Sequence, residues 1–167
     1  HDLTYGPEYG ALAAIGLGAD LYFNAYAAAG RLALYRTDGS TNGTKKVRDL
    51  DLIGGGGWVL RGIGIGETLF FQGYEKTSGE GMFALRAGSS SMAKLAGTQP
   101  GQFFALGSKL VFTDGEPPAL RGIWVSDGTA NGTRALLKFS RFVPGPFHFA
   151  RVGRRAFFSV RRGSGEL

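Results

Sequence analysis

The chain has 167 residues, enough for one domain with a real core and short for two. It carries 19 Lys and Arg against 13 Asp and Glu, a formal charge of +6 that favours acidic partners. It holds 29 Gly without a three-residue period and no Cys, which excludes collagen, a disulfide framework and thiolate metal sites.

Residues 1–10 are polar, carry Pro7 and read as a lead-in segment. A four-part pattern then begins. Ala11 to Gly16 is a small apolar run, and Leu21 to Tyr26 is rich in aromatics. Arg31 to Arg36 alternates imperfectly, and Lys45 to Leu50 is short and mostly charged. The pattern returns as Trp58 to Ile63, Leu69 to Tyr74, Gly81 to Arg86 and Met92 to Leu95. A third round reads Gln102 to Leu106, Leu110 to Thr113, Gly122 to Val125 and Thr133 to Lys138. A fourth starts with Phe147 to Val152 and Ala156 to Val160.

The second runs set the period. Tyr22, Phe70, Val111 and Phe157 are spaced by 48, 41 and 46 residues. Short strands at a period of about 45, four to a unit, are the mark of propeller blades. Runs such as Leu69-Phe-Phe and Leu110-Val-Phe are continuous and apolar, as strands buried on both faces are. Gly interrupts every stretch of helical length, so no helix is expected, and no apolar run approaches the ~20 residues of a membrane helix. The expected fold is all-β: a β-propeller-like array of four-stranded antiparallel blades, about three complete blades plus a partial fourth. The units run over about 11–57, 58–101, 102–146 and a partial 147–167, within a single repeat domain.

The third and fourth strands are joined by a repeated stretch. Leu34-Tyr-Arg-Thr-Asp-Gly-Ser-Thr-Asn-Gly-Thr44 and Ile123-Trp-Val-Ser-Asp-Gly-Thr-Ala-Asn-Gly-Thr133 lie 89 residues apart. A degenerate copy, Met82 to Gly88, stands between them, with Ala87 in the Asp place. Asp38 and Asp127 are expected to accept bonds from backbone N–H groups just ahead of them. Gly39 and Gly128 are expected at positive φ, and Asn-Gly is expected to supply a second positive-φ pair at Gly43 and Gly132. Thr44 and Thr133 would bond back into the loop. These eight residues therefore read as structural turn positions. Two functional readings compete with that one. Calcium wants six to eight oxygen ligands, usually with several carboxylates, and each loop offers one. Asn42-Gly-Thr44 and Asn131-Gly-Thr133 also match the N-glycosylation pattern.

The stretch Gly122-Ile-Trp-Val-Ser-Asp-Gly-Thr-Ala-Asn-Gly-Thr133 resembles the ELWxxDGT repeat family, found in tandem in large secreted and surface proteins of bacteria. Ile123, Trp124, Asp127, Gly128, Thr129, Gly132 and Thr133 match, as do Leu34, Asp38, Gly39, Gly43 and Thr44. The resemblance implies propeller-like blades and an extracellular or cell-surface location. It implies no particular activity. Three blades and two strands leave a ring open, since closed propellers have four or more blades. The remainder could lie in a second chain, identical copies could assemble, or a strand near Leu3 to Tyr9 could help close a four-bladed ring.

Catalytic material is sparse. His148 sits between Phe147 and Phe149, no Gly-x-Ser-x-Gly elbow is present, and Glu67, Glu75, Glu80 and Glu116 are dispersed. No catalytic and no metal residues are assigned, and no cofactor is expected, with calcium the remote exception. Binding material is better. Arg151, Arg154, Arg155, Arg161 and Arg162 form the densest basic group, interleaved with Phe147, Phe149, Phe157 and Phe158. Arg36, Arg61, Arg86 and Arg121 could line one face, and Trp124 joins the candidates. The segments Glu75 to Gly81 and Asp114 to Arg121 read as the longest loops between second and third strands, and are the nominated ligand contacts. The reading is a noncatalytic secreted or cell-surface module that binds a glycan or a protein partner, without membrane insertion and with nucleic acid ranked behind both. The alternatives are a polysaccharide-acting propeller hydrolase with catalytic residues partly outside this chain, and a purely architectural repeat of a larger adhesin.

Overall fold

The structure is a computed structural model that describes residues 14–26, 32–50, 61–115, 120–143, 149–153 and 155–158. The lead-in segment, Trp58, Glu116, His148, Arg154, Arg161 and Arg162 lie outside the described residues.

Three four-stranded antiparallel sheets and one hairpin follow each other along the chain, each a simple meander. The first sheet holds β1 (Ala14–Leu17), β2 (Asp20–Tyr26), β3 (Leu32–Thr37) and β4 (Lys45–Asp49). The second holds β5 (Gly62–Ile65), β6 (Thr68–Glu75), β7 (Gly79–Arg86) and β8 (Met92–Ala96). The third holds β9 (Pro100–Leu106), β10 (Lys109–Asp114), β11 (Leu120–Ser126) and β12 (Arg134–Val143). The hairpin pairs β13 (Phe149–Val152) with β14 (Arg155–Phe158). No helix occurs among the described residues. The all-β, propeller-like array of four-stranded antiparallel blades is therefore what the chain builds.

The apolar triplets explain the stacking. Side chains of a strand alternate between faces. Leu69 and Phe71 point to the first sheet, where they meet Ile15, Leu17, Tyr22 and Leu34. Phe70, between them, points the other way and meets Leu110 and Phe112 of the third sheet. Val111 and Ile123 then face the hairpin, with Phe149 and Phe158 packed against them. A strand squeezed between two sheets can hold only apolar residues, and Leu69, Phe70 and Phe71 are at most 1% exposed. The first sheet departs from this, since Leu21 is 48% exposed.

Successive first strands touch. A Cβ at Gly64 of β5 would run into the backbone carbonyl of Gly16 of β1, so glycine there permits the close approach. The charged strand β4 is the far edge of its sheet, with Lys45 and Lys46 exposed.

The segment from Glu75 to Gly81 is not a long loop. Glu75 pairs with Gly79, Tyr74 with Glu80 and Gly73 with Gly81, leaving a turn of residues 76–78. Gly81 is a glycine within the strand because the carbonyl of Ala96 on β8 fills the space a Cβ would need.

Candidate functional site

The two Asp-Gly loops have nearly the same bonding. Asp38 Oδ1 accepts from the Ser40 N–H at 2.9 Å and the Ser40 hydroxyl at 2.7 Å. Asp127 Oδ1 accepts from the Thr129 N–H at 2.9 Å and its hydroxyl at 2.7 Å. The hydroxyl of Ser40 then accepts the Gly43 N–H, and that of Thr129 accepts the Gly132 N–H, both at 2.9 Å. Thr44 and Thr133 donate back to the Ser40 and Thr129 carbonyls at 2.8 and 2.6 Å. The loops thus satisfy themselves.

Gly39 and Gly128 take φ of 91° and 96°. Gly43 and Gly132 do not take positive φ, contrary to the Asn-Gly expectation. They are glycine for another reason: the Asp38 and Asp127 carboxylates fill the space a Cβ would need. Hydroxyl donors come first and backbone N–H donors second in holding both carboxyls below the ordinary aspartate range. The third-sheet loop also docks on its neighbour, with Thr68 Cγ2 3.3 Å and Phe70 Cζ 3.5 Å from the Gly128 Cβ position. Asn42 and Asn131 are exposed. The degenerate middle copy makes a shorter turn over residues 87–91, with Gly88 at φ 77°.

The predicted arginines separate. Arg36 pairs with Asp20 at 2.9 Å and Arg86 with Glu67 at 2.9 Å, at the end that carries the Asp-Gly loops. Arg61 and Arg121 lie at the opposite end, where second strands turn into third strands and each sheet begins. Trp124 stacks on Phe112, with ring centroids 6.2 Å apart, and is packed against the core between the second and third sheets. Arg151 and Arg155 are exposed on opposite faces of their hairpin, since Arg151 sits across from Ala156 and Arg155 across from Val152. Phe149 and Phe158 turn inward, whereas Phe157 is 52% exposed.

What the structure assembles is a polar cleft of about 380 Å³ between the second and third sheets. Its polar side chains are Arg61, Gln72, Glu80, Gln99, Asp114 and Arg121, with Pro100 and Gly115 beneath. All but Gln72, which lies within β6, stand at or directly beside a strand end. Gln72 stands where β6 leaves the double-faced core, and Glu80 lies across the hairpin near the start of β7. Gln72 Nε2 donates to Glu80 Oε1 at 2.9 Å, and Gln99 Nε2 donates to Oε2 at 3.4 Å. The floor is backbone clasped to backbone: the Gly115 N–H donates to the Gln99 carbonyl at 2.7 Å. The Gln102 N–H donates to Thr113 Oγ1 at 2.9 Å. Arg61 Nη2 donates to the Gly101 carbonyl at 3.4 Å. Burial pushes the Asp114 carboxyl up, opposed by the Arg121 charge and the Gln99 backbone N–H.

The cleft offers guanidinium and amide donors beside carboxylate acceptors on a fixed floor. Sequence reasoning named Arg61 and Arg121 as lining one face together with Arg36 and Arg86, and named the Glu75 to Gly81 and Asp114 to Arg121 segments as contacts, and missed Gln72 and Gln99. The available signal was polar Gln72 directly after Leu69-Phe-Phe. Among the described residues, no three His, Cys, Asp or Glu side chains are placed to hold a metal.

The fold and cleft define an all-β protein of propeller-like blades with an inter-blade polar site. No family model matches the chain, and no curated protein matches it. Among solved structures the chain is similar to TolB from Acinetobacter baumannii, at 19% identity with a TM-score of 0.45. The match covers 89% of this chain and 40% of that one, so the chain spans less than half of the TolB chain.

Proposed function

We propose that this chain is a noncatalytic β-propeller-type binding module of a secreted or cell-surface protein, and that it recognises a glycan or a protein partner through the cleft between its second and third sheets. The observation that carries the reading is the cleft's lining. Six hydrogen-bonding side chains from the two sheets converge on one concavity, whose volume of about 380 Å³ falls in the range of small-ligand sites. The proposed surface location, and membership of the ELWxxDGT repeats, rest on the resemblance of the Asp-Gly-Thr stretches. A glycan array probed with the wild-type chain and with Glu80→Ala tests the reading. Binding that the substitution abolishes is expected; binding unchanged by it would place the ligand elsewhere.

One observation favours the hydrolase as a second reading. Glu80 and Asp114 share the cleft, and burial raises the proton affinity of Asp114, which is how a general acid is prepared beside a second carboxylate. Release of reducing ends from a bound polysaccharide, lost in Asp114→Asn, would establish that reading. Binding without turnover supports the first.

A further inference from the structure

We propose that Asn42 is the chain's site of spontaneous deamidation, that the hydroxyls of Ser40 and Thr129 gate this reaction at Asn42 and Asn131, and that docking on the second sheet holds the second gate shut. Asn precedes Gly at two places in the sequence, Asn42-Gly43 and Asn131-Gly132, and both lie in the Asp-Gly loops. Both asparagines are exposed. Glycine is the most permissive follower, because no side chain crowds its nitrogen or limits its backbone. In the reaction the Gly43 backbone nitrogen attacks the Asn42 side-chain carbonyl carbon. The bond from Gly43 N to Cγ forms, the bond from Cγ to Nδ2 breaks, and the Gly43 amide proton leaves with Nδ2 as ammonia. Water then opens the succinimide ring at either carbonyl, giving an aspartyl or an isoaspartyl residue. The isoaspartyl product adds a backbone atom and a negative charge to the loop of Asp38.

The attacking nitrogen is engaged in the folded chain. The Gly43 N–H donates to Ser40 Oγ and the Gly132 N–H to Thr129 Oγ1, both at 2.9 Å. The nitrogen must shed its proton and turn toward Cγ to react, and a bond to a hydroxyl opposes both. Each hydroxyl is itself fixed, because it donates to an aspartate Oδ1 at 2.7 Å. A relay thus runs from carboxylate to hydroxyl to amide, and deamidation waits for the loop to open. The two loops differ in what they rest on. Among the described residues, nothing beyond its chain neighbours stands within 4 Å of the Gly39 Cβ position. At Gly128 the same position has Thr68 Cγ2 at 3.3 Å and Phe70 Cζ at 3.5 Å. Ser126, at the base of the second loop, is fully buried, whereas Thr37 in the same place of the first is half-buried. Opening the second loop therefore also breaks contacts with β6, and Asn131 reacts later than Asn42.

The test is incubation of the full chain at neutral pH, followed by peptide mapping with mass spectrometry that separates aspartyl and isoaspartyl products from the parent. Synthetic peptides of residues 36–45 and 125–134 supply the ungated rates. Far-UV circular dichroism confirms the fold of each variant. Asn42 is expected to convert about ten-fold more slowly than in its peptide, as a group that reacts only after local opening does. Asn131 should be slower still. Ser40→Ala removes both bonds of the first relay and should speed conversion of Asn42 about five-fold or more, the factor that one hydrogen bond's net contribution carries. Ser40→Thr, which installs the hydroxyl the second loop uses, should keep the wild-type rate. Thr129→Ala should speed Asn131 as Ser40→Ala speeds Asn42. An unchanged Asn42 rate in Ser40→Ala, or conversion of Asn42 in the folded chain as fast as in its peptide, would overturn the gate. Equal rates at Asn42 and Asn131 in the folded chain would overturn the protection assigned to docking.

Discussion

The carboxylate of Asp127 occupies the space that a Cβ on Gly132 would need. Asp38 and Gly43 repeat that relationship 89 residues earlier. Glycine at the end of the stretch is thus a partner of the aspartate and not an independent turn residue. Gly132→Ala should cost about 1–3 kcal/mol, the usual cost of forcing atoms into filled space. Denaturant unfolding checks it, with Asn131→Ala, at an exposed site, as the neutral control.

A different mechanism governs Gly128. At φ 96° any side chain strains the backbone, and Thr68 and Phe70 of the neighbouring sheet lie 3.3 and 3.5 Å from the new Cβ. Gly128→Ala should therefore destabilise by at least the ~1–2 kcal/mol of a left-handed residue. Gly39→Ala, with open space around it, should show the backbone cost alone. Equal losses in the two variants would mean that the loop does not dock on the second sheet.

The carboxyls predict opposite pH behaviour. Asp38 and Asp127 are held low by Ser40 and Thr129, so their contribution is complete above the ordinary aspartate range and is lost as pH falls through their lowered values. Asp114 is raised by burial. Between the ordinary and raised values the folded chain binds more protons than the unfolded one, and stability falls as pH rises through that window. Carboxyl NMR titration should find Asp38 and Asp127 below, and Asp114 above, an exposed aspartate. Asp114→Asn should remove the second trend.

Core substitutions should separate the double-faced strands from the open face of the first sheet. Phe70, fully buried between two sheets, should cost about 3–5 kcal/mol as Phe70→Ala. Leu21, at 48% exposure, should cost about 0.5 kcal/mol or less as Leu21→Ala.

Most of this fold was legible because its repeat unit is local. Apolar triplets marked the second strands, and Asp-Gly marked the turns. The segment Glu75 to Gly81 misled, because its Ser and Gly residues read as a loop, yet Glu75 faces Gly79 and Tyr74 faces Glu80 within a strand pair. The carbonyl of Ala96 explains Gly81, and that contact exists only once β8 is in place. The cleft was hidden for a related reason. Arg61, Gln72, Gln99 and Arg121 are scattered in sequence, and only the packing of one sheet on the next brings them together. Trp124 shows the converse: an aromatic in a repeated motif looks like a ligand platform, but its partner is Phe112.

Hydrogen exchange with and without a glycan that the array identifies, followed by mass spectrometry, tests the cleft most directly. The account predicts slowed exchange at the ends of β6 and β7 around Gln72 to Glu80, at Gln99 to Gln102 and at Asp114 to Arg121, with the Asp38 and Asp127 loops unchanged. Slowed exchange confined to the β13–β14 hairpin around Arg151 and Arg155, with the cleft segments unaffected, would contradict it.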